Sequence, residues 1–397
     1  MQRERAALRS QVRFWIHALF CAVLLNAVVH ACSVSLILWS INDKSADPLF
    51  RFIRGGKAGY IDAKGRIVVS PTLAVDSTSF AEFHEGLLRI GGEGNHEYVD
   101  KTGKVQLRIR AWMASDFSEG LAAVSGGDSF GAKVGFVDHS GRFVISPQYY
   151  SAESFSEGLA VASLEGHVAK GYIDRYGNWV VQPRLAEARP FHESLAAVII
   201  EGPCRITNGG SCERSEYAPL LANAKYDCRF AFIDKTGNPV SDLRFDDAKD
   251  FSEGLAAIRI GRKWGFIDKK GRISIPAEYE SAEPFSEGLA AVRHDGMIGF
   301  IDASGSFVIA PRFEYAGSFS DGRAIVSDRS PNGVILYRFI SRAGMPAFSG
   351  WFVHAAPFVH GLAPVAYEVK GAADRGVRGR FAWIDVSGNP VLAFNVR

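Results

Sequence analysis

FSEGLAAV occupies residues 117–124 and returns unchanged at residues 285–292. Near-copies begin at Phe155 (FSEGLAVA), Phe191 (FHESLAAV) and Phe251 (FSEGLAAI). A second phrase alternates with it: GYIDAKG at Gly59, EYVDKTG at Glu97, GFVDHSG at Gly135 and GYIDRYG at Gly171. It continues as AFIDKTG at Ala231, GFIDKKG at Gly265, GFIDASG at Gly299 and AWIDVSG at Ala382, with a degraded copy, RFISRAG, at Arg338. The step from the Asp to the following Phe is 17 residues in six units, from Asp100–Phe117 to Asp302–Phe319. The step from each Phe to the next Asp varies between 17 and 43. The minimal period is therefore 34 residues, with nearly all length variation in one half of it. Such a period is the mark of a repeat array or a propeller.

The residues decide between helical and β repeats. Gly265–Asp268 is a short aromatic and β-branched run entering a turn, with Asp at the first turn position and Gly at the fourth. That pattern suits a type I turn whose Gly takes φ > 0, a common hairpin closure. Arg272-Ile273-Ser274-Ile275 alternates with period two and is expected to stop at Pro276, as other copies stop at Pro71, Pro147, Pro183 and Pro311. Helix caps and 3.6-residue periodicity are absent. The unit reads as a β-meander of strands A (LAAV), B (GFID) and C (RISI). Parity adds a fourth: if A and C run up and B down, the linker between Pro276 and Gly288 must return downwards before the next A. Nine units fit between Leu49 and the C-terminus. Propeller blades usually have four strands and number four to eight. The small unit therefore favours an open superhelical array, with a closed propeller as the alternative. Phe117, Phe155, Phe191, Phe251, Phe285, Phe319 and Trp264 are the expected repeat core.

Lys263–Gly271 (KWGFIDKKG), with Pro276, Tyr279 and the following FSEGLA, resembles the WG-repeat family of bacterial proteins. The resemblance covers about residues 49–397, although the Trp that gives the family its name survives only at Trp264. It implies a β-repeat scaffold for binding, with no generally assigned catalytic activity.

The 397 residues carry 45 basic and 43 acidic side chains, a net charge of +2. Arg3, Arg5, Arg9 and Arg13 stand against Glu4 in the first 13 residues, leaving 45 − 4 = 41 basic and 43 − 1 = 42 acidic groups elsewhere. A near-neutral body has no electrostatic footprint for nucleic acid. Residues 14–41 contain no Lys, Arg, Asp or Glu. As a helix they would span about 42 Å, more than the roughly 30 Å of a bilayer core. The flanking arginines place residues 1–13 in the cytoplasm and the body outside. The expected organisation is a basic tail (1–13), a transmembrane signal-anchor helix (14–41), a linker (42–48) and the repeat domain (49–397), extracytoplasmic and periplasmic. Val29-His30-Ala31-Cys32 offers another reading, a lipoprotein lipidated at Cys32.

The recurring aspartates, Asp62, Asp100, Asp138, Asp174, Asp234, Asp268, Asp302 and Asp385, read as turn residues whose carboxylates accept backbone N–H bonds. Glu119, Glu157, Glu253 and Glu287 read as structural for the same reason: a turn is needed in every unit, a catalytic acid only once or twice. His84-Glu85 and His192-Glu193 lack the second His of a zinc-protease helix, and there is no P-loop or dinucleotide fingerprint. The chain is expected to be no enzyme and to need neither cofactor nor metal. The insertion at residues 199–229 holds Cys204, Cys212 and Cys228. CRITNGGSC is symmetric about Asn208, and Asn-Gly favours a tight turn, so a Cys204–Cys212 disulfide closing a hairpin is expected.

Other length changes, at residues 126–134, 165–170, 328–337 and 368–380, also fall between strands A and B, where loops project from one rim. The expected function is a scaffold for protein–protein interaction in the cell envelope. The alternative is binding of peptidoglycan or other cell-wall glycan through exposed aromatics among Tyr149, Tyr150, Tyr279 and Tyr315.

Overall fold

A computed structural model describes residues 48–73, 82–92, 94–164, 169–200, 204–206, 212–214, 229–329, 333–370 and 378–396. The expected tail, the anchor helix with Cys32, and the linker up to residue 47 lie outside them. Among the described residues no helix is long and apolar enough to cross a membrane.

Nine small antiparallel sheets follow one another along the chain, and each is one repeat unit. Blade 7 shows the full pattern: a two-residue strand D (Ser281–Ala282), then A (Ala290–His294), B (Met297–Ile301) and C (Phe307–Phe313), paired in that order. The fourth strand required by parity is thus present, short, and paired with the A strand that follows it.

The A and B strands are buried on both faces. In blade 6 alternate residues of strand A enter different cores: Ala256 and Ile258 pack with blade 5, Leu255 and Ala257 with blade 7. The hydrophobic cores therefore lie between blades rather than within them. Each core is centred on an aromatic pair. Phe266 of blade 6 meets Phe285 of blade 7 at 4.9 Å between ring centroids, Phe300 meets Phe319 at 4.9 Å, and Tyr98 meets Phe117 at 5.0 Å. The B strand supplies one ring and the next FSEG phrase the other. Phe117, Phe155, Phe191, Phe251, Phe285 and Phe319 are all buried in this way; Trp264 is half-buried at the edge of its core.

The open array favoured by the short unit is not what forms. The last B strand places Trp383 at 5.2 Å from Phe50 of the first blade, and the Trp383 indole N–H donates to the Arg51 carbonyl at 2.9 Å. The same closure is repeated at the turns. A side-chain carbon at Gly103 would meet Val69 of the blade before, and Gly141, Gly177 and Gly305 stand likewise against Leu107, Ile145 and Ile275. Gly65 of blade 1 stands against Val391 of blade 9. Blade 9 is thus neighbour to blade 1 as each blade is to the next, and the molecule is a closed nine-bladed propeller.

The B–C turn follows the expected form. In blade 7 the Gly305 N–H bonds to the Asp302 carbonyl at 2.9 Å, and Gly305 has φ +85°. The Asp302 carboxylate accepts the Ser304 and Ser306 N–H groups at 2.9 and 3.1 Å. The other seven aspartates of the phrase accept the N–H groups two and four residues on in the same way.

The prolines do not end strand C. It runs through Pro276 to Tyr279, and likewise through Pro71, Pro147, Pro183 and Pro311. A bulge makes this possible: Phe266 pairs with Ile275 but Trp264 with Tyr279, so strand C carries extra residues that arch over the B strand. The glycine of GFID is what they arch over. A Cβ at Gly265 would stand 2.5 Å from the Ile275 carbonyl oxygen, and at Gly135, Gly171 and Gly299 the clash is equally close. Where Glu97 or Ala382 replaces that glycine, the B–C ladder is regular at that point. Gly265→Ala should therefore destabilise by about 1–3 kcal/mol, the usual range for overpacking. Urea unfolding of the variant checks it, and an unchanged midpoint would remove the bulge argument.

Candidate interaction face

The two ends of the blades form two different faces. The D–A turns and the Asp-Gly B–C turns share one face; the A–B loops lie on the other, because strands A and B are antiparallel neighbours.

The turn face is tied together around the axis. Ser286 Oγ donates to the Phe319 carbonyl of the next blade at 2.7 Å, and Ser118, Ser156 and Ser252 repeat the bond at 2.7 Å. The neighbouring glutamate accepts from the turn of the following blade: Glu253 from Gly288 N–H at 2.7 Å, Glu119 from Gly158 at 2.9 Å, and Glu287 from Gly322 at 3.0 Å. Asp321 does the same for Gly361 at 2.7 Å. Spacing between equivalent points of a ring grows with radius, so direct bonds between equivalent turns place these turns beside the axis. The Glu-Gly pair closes a two-residue hairpin with both residues at positive φ, +54° and +76° in blade 7. That is the geometry of the tightest hairpins, and a non-glycine pays strain to adopt it. The recurring FSEG thus has one job per letter: Phe fills the core between blades, Ser and Glu bind the next blade, and Gly completes the turn.

Basic residues following the turn aspartates add ion pairs between blades. Lys269 reaches Glu193 at 2.8 Å and Lys235 reaches Glu157 at 3.2 Å, and the His139 ring stands 3.4 Å from the Glu85 carboxylate. Burial raises the Glu157 pKa, but the Ser194 amide and Lys235 outweigh it and hold the carboxyl below its ordinary value. Asp100 is lowered to about 2, first by the Thr102 hydroxyl and then by the Lys104 and Thr102 amides. These charges are committed to the ring, and no group of three or more His, Cys, Asp or Glu among the described residues could hold a metal ion.

The opposite face carries the variation. In the described residues the longest A–B connections are the blade 3 loop between Ser125 and Val134, the blade 5 insertion after Ile199, and the long hairpin of blade 9 (Leu362–Lys370 with Arg378–Asp385). Phe130, on the blade 3 loop, is 83% exposed and touches Trp112 edge-on at 5.8 Å. Tyr150 of blade 4, at the position equivalent to Trp112, is 56% exposed. On blades 8 and 9 a row of rings runs from Tyr315 through Tyr337 to His354 at 6.1 and 5.9 Å, and burial holds the His354 imidazole below its ordinary pKa.

Of the four tyrosines singled out by sequence, Tyr149 and Tyr279 are core residues, donating to the Gly177 and Gly305 carbonyls. Tyr150 and Tyr315 are exposed but stand on blades 4 and 8. Phe130 had no repeat signal to betray it; the only clue was the length of its loop. In the insertion, Cys204–Ile206 and Cys212–Arg214 pair as a hairpin, with Cys204 opposite Arg214 and Cys212 opposite Ile206. The backbone register thus sets the two cysteines two positions apart across the pair.

The WG containing repeat matches this chain at residues 135–166, 171–202, 230–264, 264–297 and 298–329. These five units, between residues 135 and 329, are WG repeats. No curated protein sequence matches it. Among solved structures, a eukaryotic initiation factor aligns with a TM-score of 0.57 at 10% identity, covering 89% of this chain and 96% of that one. Hsv2 of Kluyveromyces lactis aligns at 0.34 and 8%, covering 65% and 89%. PorZ, a surface component of the type-IX secretion system of Porphyromonas gingivalis, aligns at 0.31 and 12%, covering 91% of this chain and 53% of PorZ. The first likeness is one of fold; the other two superpose too loosely to add to it.

Two outcomes follow for the turn face. Glu253→Ala and Glu253→Gly both lose the bond to Gly288, but alanine also keeps the left-handed strain. Glu253→Gly should therefore be more stable than Glu253→Ala by about 1 kcal/mol; equal urea midpoints would show that φ carries no cost here. The second concerns acid. A carboxyl lowered in the folded state contributes stability above its unfolded pKa and loses it as pH falls through the folded value. For Asp100 the loss should run from pH 4 down to about pH 2. The thermal midpoint should fall through that window, and less so in Asp100→Asn.

Proposed function

We propose that the propeller is a scaffold that engages partner proteins through its A–B loop face. One observation carries the reading: the turn face spends its polar groups on holding the ring, whereas the insertions and the paired rings of Phe130 and Trp112 lie on the other. Interfaces draw their energy from a few aromatic anchors surrounded by tolerant contacts, and exposed Phe130 and Tyr150, with half-buried Trp112 against Phe130, are rings of that kind. Two of the four candidate tyrosines are buried and the exposed two are four blades apart, which favours polypeptide over glycan.

In this reading residues 14–41 anchor the chain and the propeller works in the cell envelope. Strand A of blade 1 begins at the turn face, since Phe50 pairs with Ile61 beside the Asp62 turn. A short linker from a membrane would then turn the A–B loops away from the bilayer, towards partners.

Photo-crosslinking in intact cells tests this. A crosslinker at Phe130 should give discrete protein adducts, and one at Tyr176, 82% exposed on the turn face, should give none. Adducts from Tyr176 alone, or from neither position, would reject the loop face as the working surface.

A further inference from the structure

In the seven blades that have a strand C it is the outer strand, and no described strand pairs with the other side of its backbone. Such edges invite pairing with other chains, and natural sheets blunt them with proline, bulges or charge. Eight of the nine blades here do so. Blades 1, 3, 4, 6 and 7 have a proline and a bulge in mid-strand. Blade 2 presents exposed Gln106 and Arg108. Blades 5 and 8 have only isolated bridges there, at Pro239 and Phe245 and at Pro346 and Phe352.

Blade 9 is the exception. Its strand C, Pro390–Val396 (PVLAFNV), has its proline at the first position, and it contains no charged residue. From Trp383↔Leu392 to Gly379↔Val396 its ladder with strand B is unbroken. Every second residue of this strand turns its N–H and C=O outward. Ala393, at its centre, is small and exposed. No described strand pairs with the outer side.

We propose that the outer edge of blade 9 receives an extended segment of another polypeptide as a fifth strand. It rests on the scaffold reading above but uses a different surface from the A–B loops, so either can fail alone. In strand addition the backbone supplies affinity and the side chains supply selectivity. Leu392 and Ala393 call for uncharged β-branched or aromatic residues in the segment. Exposed Arg380, on strand B between Glu368 and Asn395 with its guanidinium 5.2 Å over the Tyr367 ring, favours an acidic residue at the end nearer the A–B loops. Like charges there would repel.

The test uses the purified full chain and labelled peptides of alternating valine and threonine that end in two glutamates, in two lysines, or in two glutamates with a central proline. Anisotropy should show saturable binding of the glutamate peptide, at least tenfold weaker binding of the lysine peptide, and none of the proline peptide. Ala393→Lys should abolish binding with an unchanged thermal midpoint, and Arg380→Gln should erase only the preference for glutamate. Hydrogen exchange of residues 391–395 should slow when the peptide is added. The proposal is overturned if no peptide saturates or if Ala393→Lys binds normally. It is equally overturned if those amides are already protected in the monomer, or become protected only as the chain dimerises. The edge would then belong to another segment of this chain or to a second copy.

Discussion

No blade of this protein can bury itself. Its A and B strands are apolar on both faces, and three or four short strands cannot shield two faces at once. The ring is the solution: each blade lends one aromatic to the core on either side, and a closed ring leaves no blade with a bare flank. The polar bonds of the turn face are subordinate to this. They fix the angle at which a buried pair such as Phe266 and Phe285 can meet, because the Glu253 carboxylate and the Ser252 hydroxyl both reach the adjoining turn of blade 7.

The repeated phrases are therefore a list of contacts between neighbours, which is why so much of the fold could be read from them. The turn at Asp268–Gly271, the order of A, B and C, and the short returning strand all followed from local patterns and parity. Closure did not. It depends on Arg51 and Trp383, which are 332 residues apart and carry no shared motif. The course of strand C was also hidden. Proline usually ends a strand, and only the empty space at Gly265 lets the chain arch past Pro276 and continue.

The candidate face was half legible. Loop length located it, since insertions can survive only where the ring does not need the chain. The side chains were harder. Tyr149 and Tyr150 are neighbours in sequence, yet one fills a core and the other faces solvent. Which does which is set by the bulge register of strand C, a feature with no signature at the tyrosines themselves. Phe130 lies outside any repeated phrase, so no sister unit gave it a role by analogy.

The seam between Phe50 and Trp383 also has a meaning for how the chain folds. Neighbouring blades can pair as soon as they are made, through contacts some 35 residues apart, such as Glu253 with Gly288. The seam must wait for both ends. Among the described residues no strand is exchanged across it: blade 1 is built from residues 50–73 and blade 9 from residues 354–370 and 378–396. Contacts between distant parts of a chain form slowly, because loop entropy is lost before they reward it. An open arc of nine blades with two apolar flanks thus precedes closure, and the indole of Trp383 is the group that passes from water to protein when the circle shuts.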